Sequence, residues 1–73
     1  MTKHCFPLTG DFIELHVLLK LLALAPSGGV AKAMIVEGLV TVDGTVETRK
    51  GRKLKIGQLV RLGDDEIAIV SAS

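Results

Sequence analysis

Between Glu47 and Gly57 the chain reads ETRKGRKLKIG, and Arg49, Lys50, Arg52, Lys53 and Lys55 fall within seven positions. Guanidinium and ammonium groups at that density suit the capture of anions, phosphates above all. The formal net charge is only +1, from nine basic residues against eight acidic ones. Five of the nine basic residues therefore gather in one segment, while Asp64, Asp65 and Glu66 group in a later turn. The simplest reading is a solvated face, since lysines on an edge strand also discourage edge-to-edge pairing. A chain that needed only solubility would intersperse its signs, however, and segregation instead gives the surface a positive side.

A second anion-binding feature is Ser27-Gly28-Gly29, with Lys32 one turn further on. If a helix opens there, its N-terminus offers unpaired N–H groups, and two glycines let a phosphate come close to the backbone. The plainer account is that the glycines only permit a tight turn. The remaining reactive types are few. His4, Cys5 and His16 fall short of the four ligands of a structural zinc site. His4 beside Cys5 could be a base and a nucleophile, but neighbours in sequence rarely hold that geometry. No metal, cofactor or catalytic residue is therefore expected, and the chain reads as a non-enzyme.

These residues need elements to hold them. Leu15, Leu18, Leu19 and Leu22 recur at helical spacing, which predicts a helix over 14–24 with Lys20 off the stripe and Pro26 as its stop. Ser27 is a good N-cap for a second helix over 28–37, with Ala31, Met34 and Ile35 inward, Val30 alongside and Gly38 just past the end. After Gly38 the period changes to two. Val40 and Val42 alternate with Thr41, and Asp43-Gly44 signals a hairpin turn back into VETR. KLKI alternates again, which predicts Leu54 and Ile56 in the core and Lys53 and Lys55 outward. QLVRL and EIAIV supply two more strands. The order reads as α+β, a helix pair packed on a small antiparallel sheet. Residues 1–10 are expected as a flexible lead-in, with DFIEL giving a short strand or turn, and residues 11–73 as a single domain.

At 73 residues there is room for one domain with a small core. A lone cysteine forms no internal disulfide and fits a reducing compartment. VLLKLLALAPS ends in Ala23-Leu24-Ala25, similar to a signal-peptidase site, but Asp11 and Glu14 stand where a positive region belongs and Lys20 interrupts the apolar run. The run is also too short for a transmembrane helix. A cytoplasmic monomer without membrane contact is expected.

Taken together, Ser27-Gly28-Gly29, Ala31-Lys32, Glu37-Gly38, Val40, Val42-Asp43-Gly44, Glu47 and Arg49-Lys50-Gly51-Arg52-Lys53-Leu54 form one pattern, at the centre of a likeness that covers roughly residues 11–70. It resembles the RNA-binding domain named after ribosomal small-subunit protein four, the S-four domain, in its small stand-alone bacterial form. The resemblance implies an S-four-like fold with the αL motif, and binding of structured RNA, often ribosomal, through the helix pair and nearby basic residues. Carried over by position, the RNA-binding candidates are Ser27, Lys32, Arg49, Lys50, Arg52, Lys53 and Lys55, with Lys20 on helix one. Gly28 stands where the broad domain pattern often has Arg, and Glu14-Leu15-His16 replaces its Arg-Leu-Asp. Both changes remove positive charge from the helices and shift weight to the later cluster.

Affinity for RNA should then be mostly electrostatic and fall with salt. Arg49 and Arg52 could bridge phosphates or bases bidentately, with the lysines as point charges. The chain has no Trp or Tyr and two Phe, so stacking platforms are scarce, and recognition by shape and backbone is expected. Phe12 reads as core. Duplex DNA is a poorer partner, because the second helix carries only Lys32 and Glu37 as charged groups and no Arg, Asn or Gln for base edges. The alternative of another class is a basic-faced adaptor that meets an acidic protein surface without binding RNA. On the sequence, reversing Arg52 and Lys53 to Glu should abolish RNA binding and leave the fold intact.

Overall fold

A computed structural model describes residues 2–72. Met1 and Ser73, the ends of the expected lead-in and domain, lie outside the described residues. The order is β1 (Thr2–Leu8), β2 (Ile13–Glu14), α1 (Leu15–Leu21), α2 (Gly28–Val36), β3 (Val40–Val42), β4 (Thr45–Val46), β5 (Lys53–Leu54), β6 (Leu59–Leu62) and β7 (Asp65–Ser71). Five strands form one sheet in the order β1-β7-β6-β3-β4, while β2 and β5 pair separately.

The helix pair on a sheet is present as expected, and the helix bounds differ for physical reasons. Helix α1 ends at Leu21, well before Pro26. Ala23 takes a left-handed conformation at φ 58°, its N–H bonds to the Lys20 carbonyl, and Leu24 N–H bonds to Leu19. This paired closure satisfies the last carbonyls and makes Ala23, not Pro26, the terminator. Helix α2 closes in the same way at Gly38, φ 80°, with Gly38 N–H on Ile35 and Leu39 N–H on Met34. Leu15, Leu18, Leu19, Ala31 and Ile35 are fully buried between the helices and the sheet, whereas Val30 is exposed. Burying each such leucine or isoleucine stabilises the fold by about 2 kcal/mol.

The sheet is mixed, not purely antiparallel. The expected lead-in is strand β1, which pairs parallel with β7, Thr2 opposite Asp65 and Leu8 opposite Ser71. Its alternation turns His4, Phe6 and Leu8 inward and Lys3, Cys5 and Pro7 outward. Pro7 costs no ladder bond there because β1 is an edge strand. His4 Nε2 meets Asp65 at 3.1 Å, while Cys5 is exposed on the opposite side. Period two thus separates the base from the thiol that the sequence places side by side.

Strand β3 turns into β4 through Asp43 (φ 51°) and Gly44 (φ 85°), the two-residue hairpin turn expected from their types. Asp43 also accepts the Leu59 N–H at 2.9 Å, tying the turn to β6. Asp65 and Glu66 lie within β7 and not in a turn, which Gly63 and Asp64 form.

Candidate nucleic-acid interface

The basic segment does not continue the β3–β4 hairpin as a strand. After β4 the chain leaves the sheet, makes a turn closed by Arg52 N–H on the Arg49 carbonyl, and enters β5. Strand β5 pairs with β2, Ile13 opposite Leu54 and Glu14 opposite Lys53. Leu54 is fully buried and anchors the segment in the core. The alternation stops there. Lys55 begins a turn closed by Gln58 N–H on its carbonyl, with Gly57 at φ 95°, so Ile56 is 53% exposed instead of buried. Lys55 therefore sits in a turn and not on a strand.

Two devices hold the turn. Its carbonyls accept from the start of α1: Leu15 N–H reaches Arg52 O at 2.9 Å and His16 N–H reaches Lys50 O at 3.3 Å. The His16 ring adds a bond from Nδ1 to the same Lys50 oxygen, at 3.0 Å. A carbonyl only accepts, so Nδ1 carries the proton. The first orphan donors of α1 are thus spent on the turn.

The second device is Glu47, a buried carboxylate in the segment leading to the turn. Arg49 grips it bidentately, through Nε at 3.1 Å and Nη2 at 3.0 Å, and also by its backbone N–H at 3.1 Å. Arg52 Nη1 adds a fourth bond at 2.6 Å. The Arg49 hydrogen bonds outweigh the opposing effect of burial and, with Arg52, hold the Glu47 carboxyl at a pKa of about 2, down from 4.5. Arg49 is pushed up in return by the same hydrogen bonds.

This divides the five basic residues. The side-chain donors of Arg49 and Arg52 are partly committed to Glu47, and the Arg52 side chain is only 29% exposed. A Glu at position 52 would face a buried Glu47, so the expectation that reversal there leaves the fold intact fails on like-charge repulsion. Among the described residues, Lys50, Lys53 and Lys55 have no carboxylate within ion-pairing distance. Arg49, Gly51, Arg52 and Lys53 line an open cleft of about 490 Å³. Lys55 lies outside that lining, beyond β5.

The remaining candidates sit on the helices. Lys20 is exposed in the last turn of α1, and Lys32 is exposed on α2. Ser27 caps α2, its Oγ accepting from Val30 N–H at 3.2 Å. Gly28 and Gly29 have no positive φ, and a Cβ on Gly28 would meet nothing within 4 Å. A tight turn does not explain them. Among the described residues, the hydrogen bonds that hold the basic turn run to α1 and Glu47, whereas those at the start of α2 run to its own cap, Ser27. Phe12 was missed as a surface residue. It is 41% exposed, and the Lys53 ammonium lies 4.8 Å from its ring centroid. Its apolar type reads as core, and only the pairing of β2 with β5 brings it beside Lys53. Among the described residues, no helix is long and apolar enough to cross a membrane.

Comparison with known proteins agrees with this architecture. A family model described as the S4 domain matches residues 6–70. YbcJ of Escherichia coli (strain K12), whose name designates it a candidate RNA-binding protein, is 46% identical over 59 residues, covering 81% of this chain and 84% of that protein. YbcJ of Shigella flexneri matches to the same extent. The solution structure of YbcJ from Escherichia coli, described as revealing an αL motif involved in RNA binding, superposes with a TM-score of 0.65. That match has 39% identity and covers 97% of this chain and 89% of the other.

Proposed function

The chain belongs to the S4 domain family, and from that membership we propose that it binds structured RNA, ribosomal RNA first among the candidates, through the turn between Arg49 and Lys53. The observation that supports this most is the division of labour around Glu47. Two arginines lock the turn to a buried carboxylate, and the lysines on and beside it keep their charge for a partner. Phosphates held in a fixed array are what such a turn can grip, each contact releasing counterions. Arg49 retains three of its five N–H donors for an RNA oxygen beyond the two given to Glu47. Lys20, Lys32 and the α2 N-terminus at Ser27 extend the positive surface in this reading, and Lys55 flanks it. The role is binding without catalysis, by a monomer in the cytoplasm.

The test is affinity for purified ribosomal RNA and for duplex DNA of equal length across a salt series. Tight, salt-dependent binding that favours folded RNA is expected. In a Lys50→Ala/Lys53→Ala protein the slope of log affinity against log salt should shrink by about 1.5, since each lost phosphate contact contributes about 0.7–0.9. Equal and weak binding to both nucleic acids would overturn the reading and favour an adaptor that meets an acidic protein surface.

A further inference from the structure

The chain has two aromatic rings, and they are used differently. Phe6 packs against the core from β1. Phe12 stands just before β2 with two-fifths of its surface in solvent. Single exposed apolar residues are ordinary. Phe12 is set apart by its neighbour, because the ammonium that covers its ring belongs to Lys53, one of the four residues lining the basic cleft.

We propose that Phe12 is a stacking platform for an unpaired base, so that the RNA bound at the basic turn is recognised at a bulged or looped-out nucleotide. This rests on the RNA reading and narrows it. One nucleotide offers both things the pair can hold, a flat π-face for the ring and a phosphate for the ammonium. In a continuous duplex the base faces are stacked on one another and withheld from the ring. Lys53 shields the ring in the free protein through a cation–π contact, and a phosphate is a stronger partner for it. The backbone that carries the ring is anchored by the strand that follows it, because Ile13 and Glu14 pair with Leu54 and Lys53. The phosphate site therefore lies on one strand of a pair, and the base site lies next to the other.

The probes are two hairpin RNAs that differ only in a single bulged 2-aminopurine. Binding is followed by affinity and by quenching of the 2-aminopurine fluorescence, for the wild type and for Phe12→Leu, Phe12→Ala and Phe12→Trp. The wild type should favour the bulged hairpin by about tenfold and quench its fluorescence, in line with the usual worth of one stacked base. Phe12→Leu keeps an apolar side chain without a π-face. It should lose both effects and bind the paired hairpin as before, and Phe12→Trp should keep both. Phe12→Ala should repeat the leucine result. If the wild type binds both hairpins equally, or Phe12→Leu keeps the preference, stacking is overturned and the phosphate grip stands. If the wild type binds neither hairpin at low salt, the RNA reading itself fails and this inference with it.

Discussion

The two helices lie side by side in one core and close alike at their C-terminal ends, but their starts are held in opposite ways and their closures rest on different residue types. Helix α2 carries its own signals: Ser27 caps its start, and Gly38 closes its end at a φ that glycine adopts without strain. Helix α1 has no side-chain cap and no acidic residue in its first turn. Its first N–H groups are satisfied by carbonyls from Lys50 and Arg52, more than thirty residues away, and its end requires Ala23 to sit at positive φ. One helix is specified locally and the other by the basic turn. The surface proposed to hold RNA is thus also the N-terminal cap of α1, and the two roles should fail together.

The largest break in that contrast should come from Arg52→Glu, which sets a second carboxylate against buried Glu47. We expect a loss of about 3 kcal/mol in denaturant unfolding. Faster amide exchange should appear at Leu15 and His16 before it appears in α2. Acid should weaken the same turn more gradually. The carboxyl of Glu47 is held at about 2 when folded against 4.5 when free, so its stabilisation is complete above pH 4.5 and is lost as pH falls toward 2. Unfolding measured from pH 5 to 2 should show this loss, and Glu47→Gln should remove that component of the pH dependence.

Smaller changes sharpen the comparison from the other side. Ser27→Ala should cost about 1 kcal/mol, read as a lower melting temperature, with faster exchange confined to the start of α2. Ser27→Asp should keep the cap and its stability, and it should weaken RNA binding if that helix end meets phosphate. Ala23→Gly should raise stability slightly, by under about 1 kcal/mol, because relief of the left-handed strain is partly offset by greater freedom in the unfolded chain. A fall in melting temperature for Ala23→Gly would show that Ala23 is not strained where it stands.

The same asymmetry governs how much could be read in advance. The bounds of α2 were legible because Ser27 and Gly38 act on their own neighbours. Those of α1 were not, since Pro26 is conspicuous in the sequence while the carbonyls that cap the helix arrive from another part of the fold. Strand β1 was hidden by Pro7 and by a mixed alternation that makes sense only beside β7. In the site, the gathering of positive charge was visible residue by residue. Its separation into committed arginines and available lysines was not, because it depends on the burial of Glu47. Phe12 was misjudged for the same reason: its type suggests core, and its exposure is set by strand pairing.

The parallel pairing of β1 with β7 carries a consequence for the order of assembly. When the chain is synthesised, Thr2–Leu8 emerges before the other strands, and the strand it pairs with, Asp65–Ser71, follows them all. Closing so long a loop is entropically the costliest contact in the molecule and should come late. The hydrogen bonds of the proposed grip all lie between Ile13 and Leu54 and draw on neither strand. The surface offered to RNA can therefore be in place while the sheet behind it is still open, and β1 acts as the latch that completes the domain.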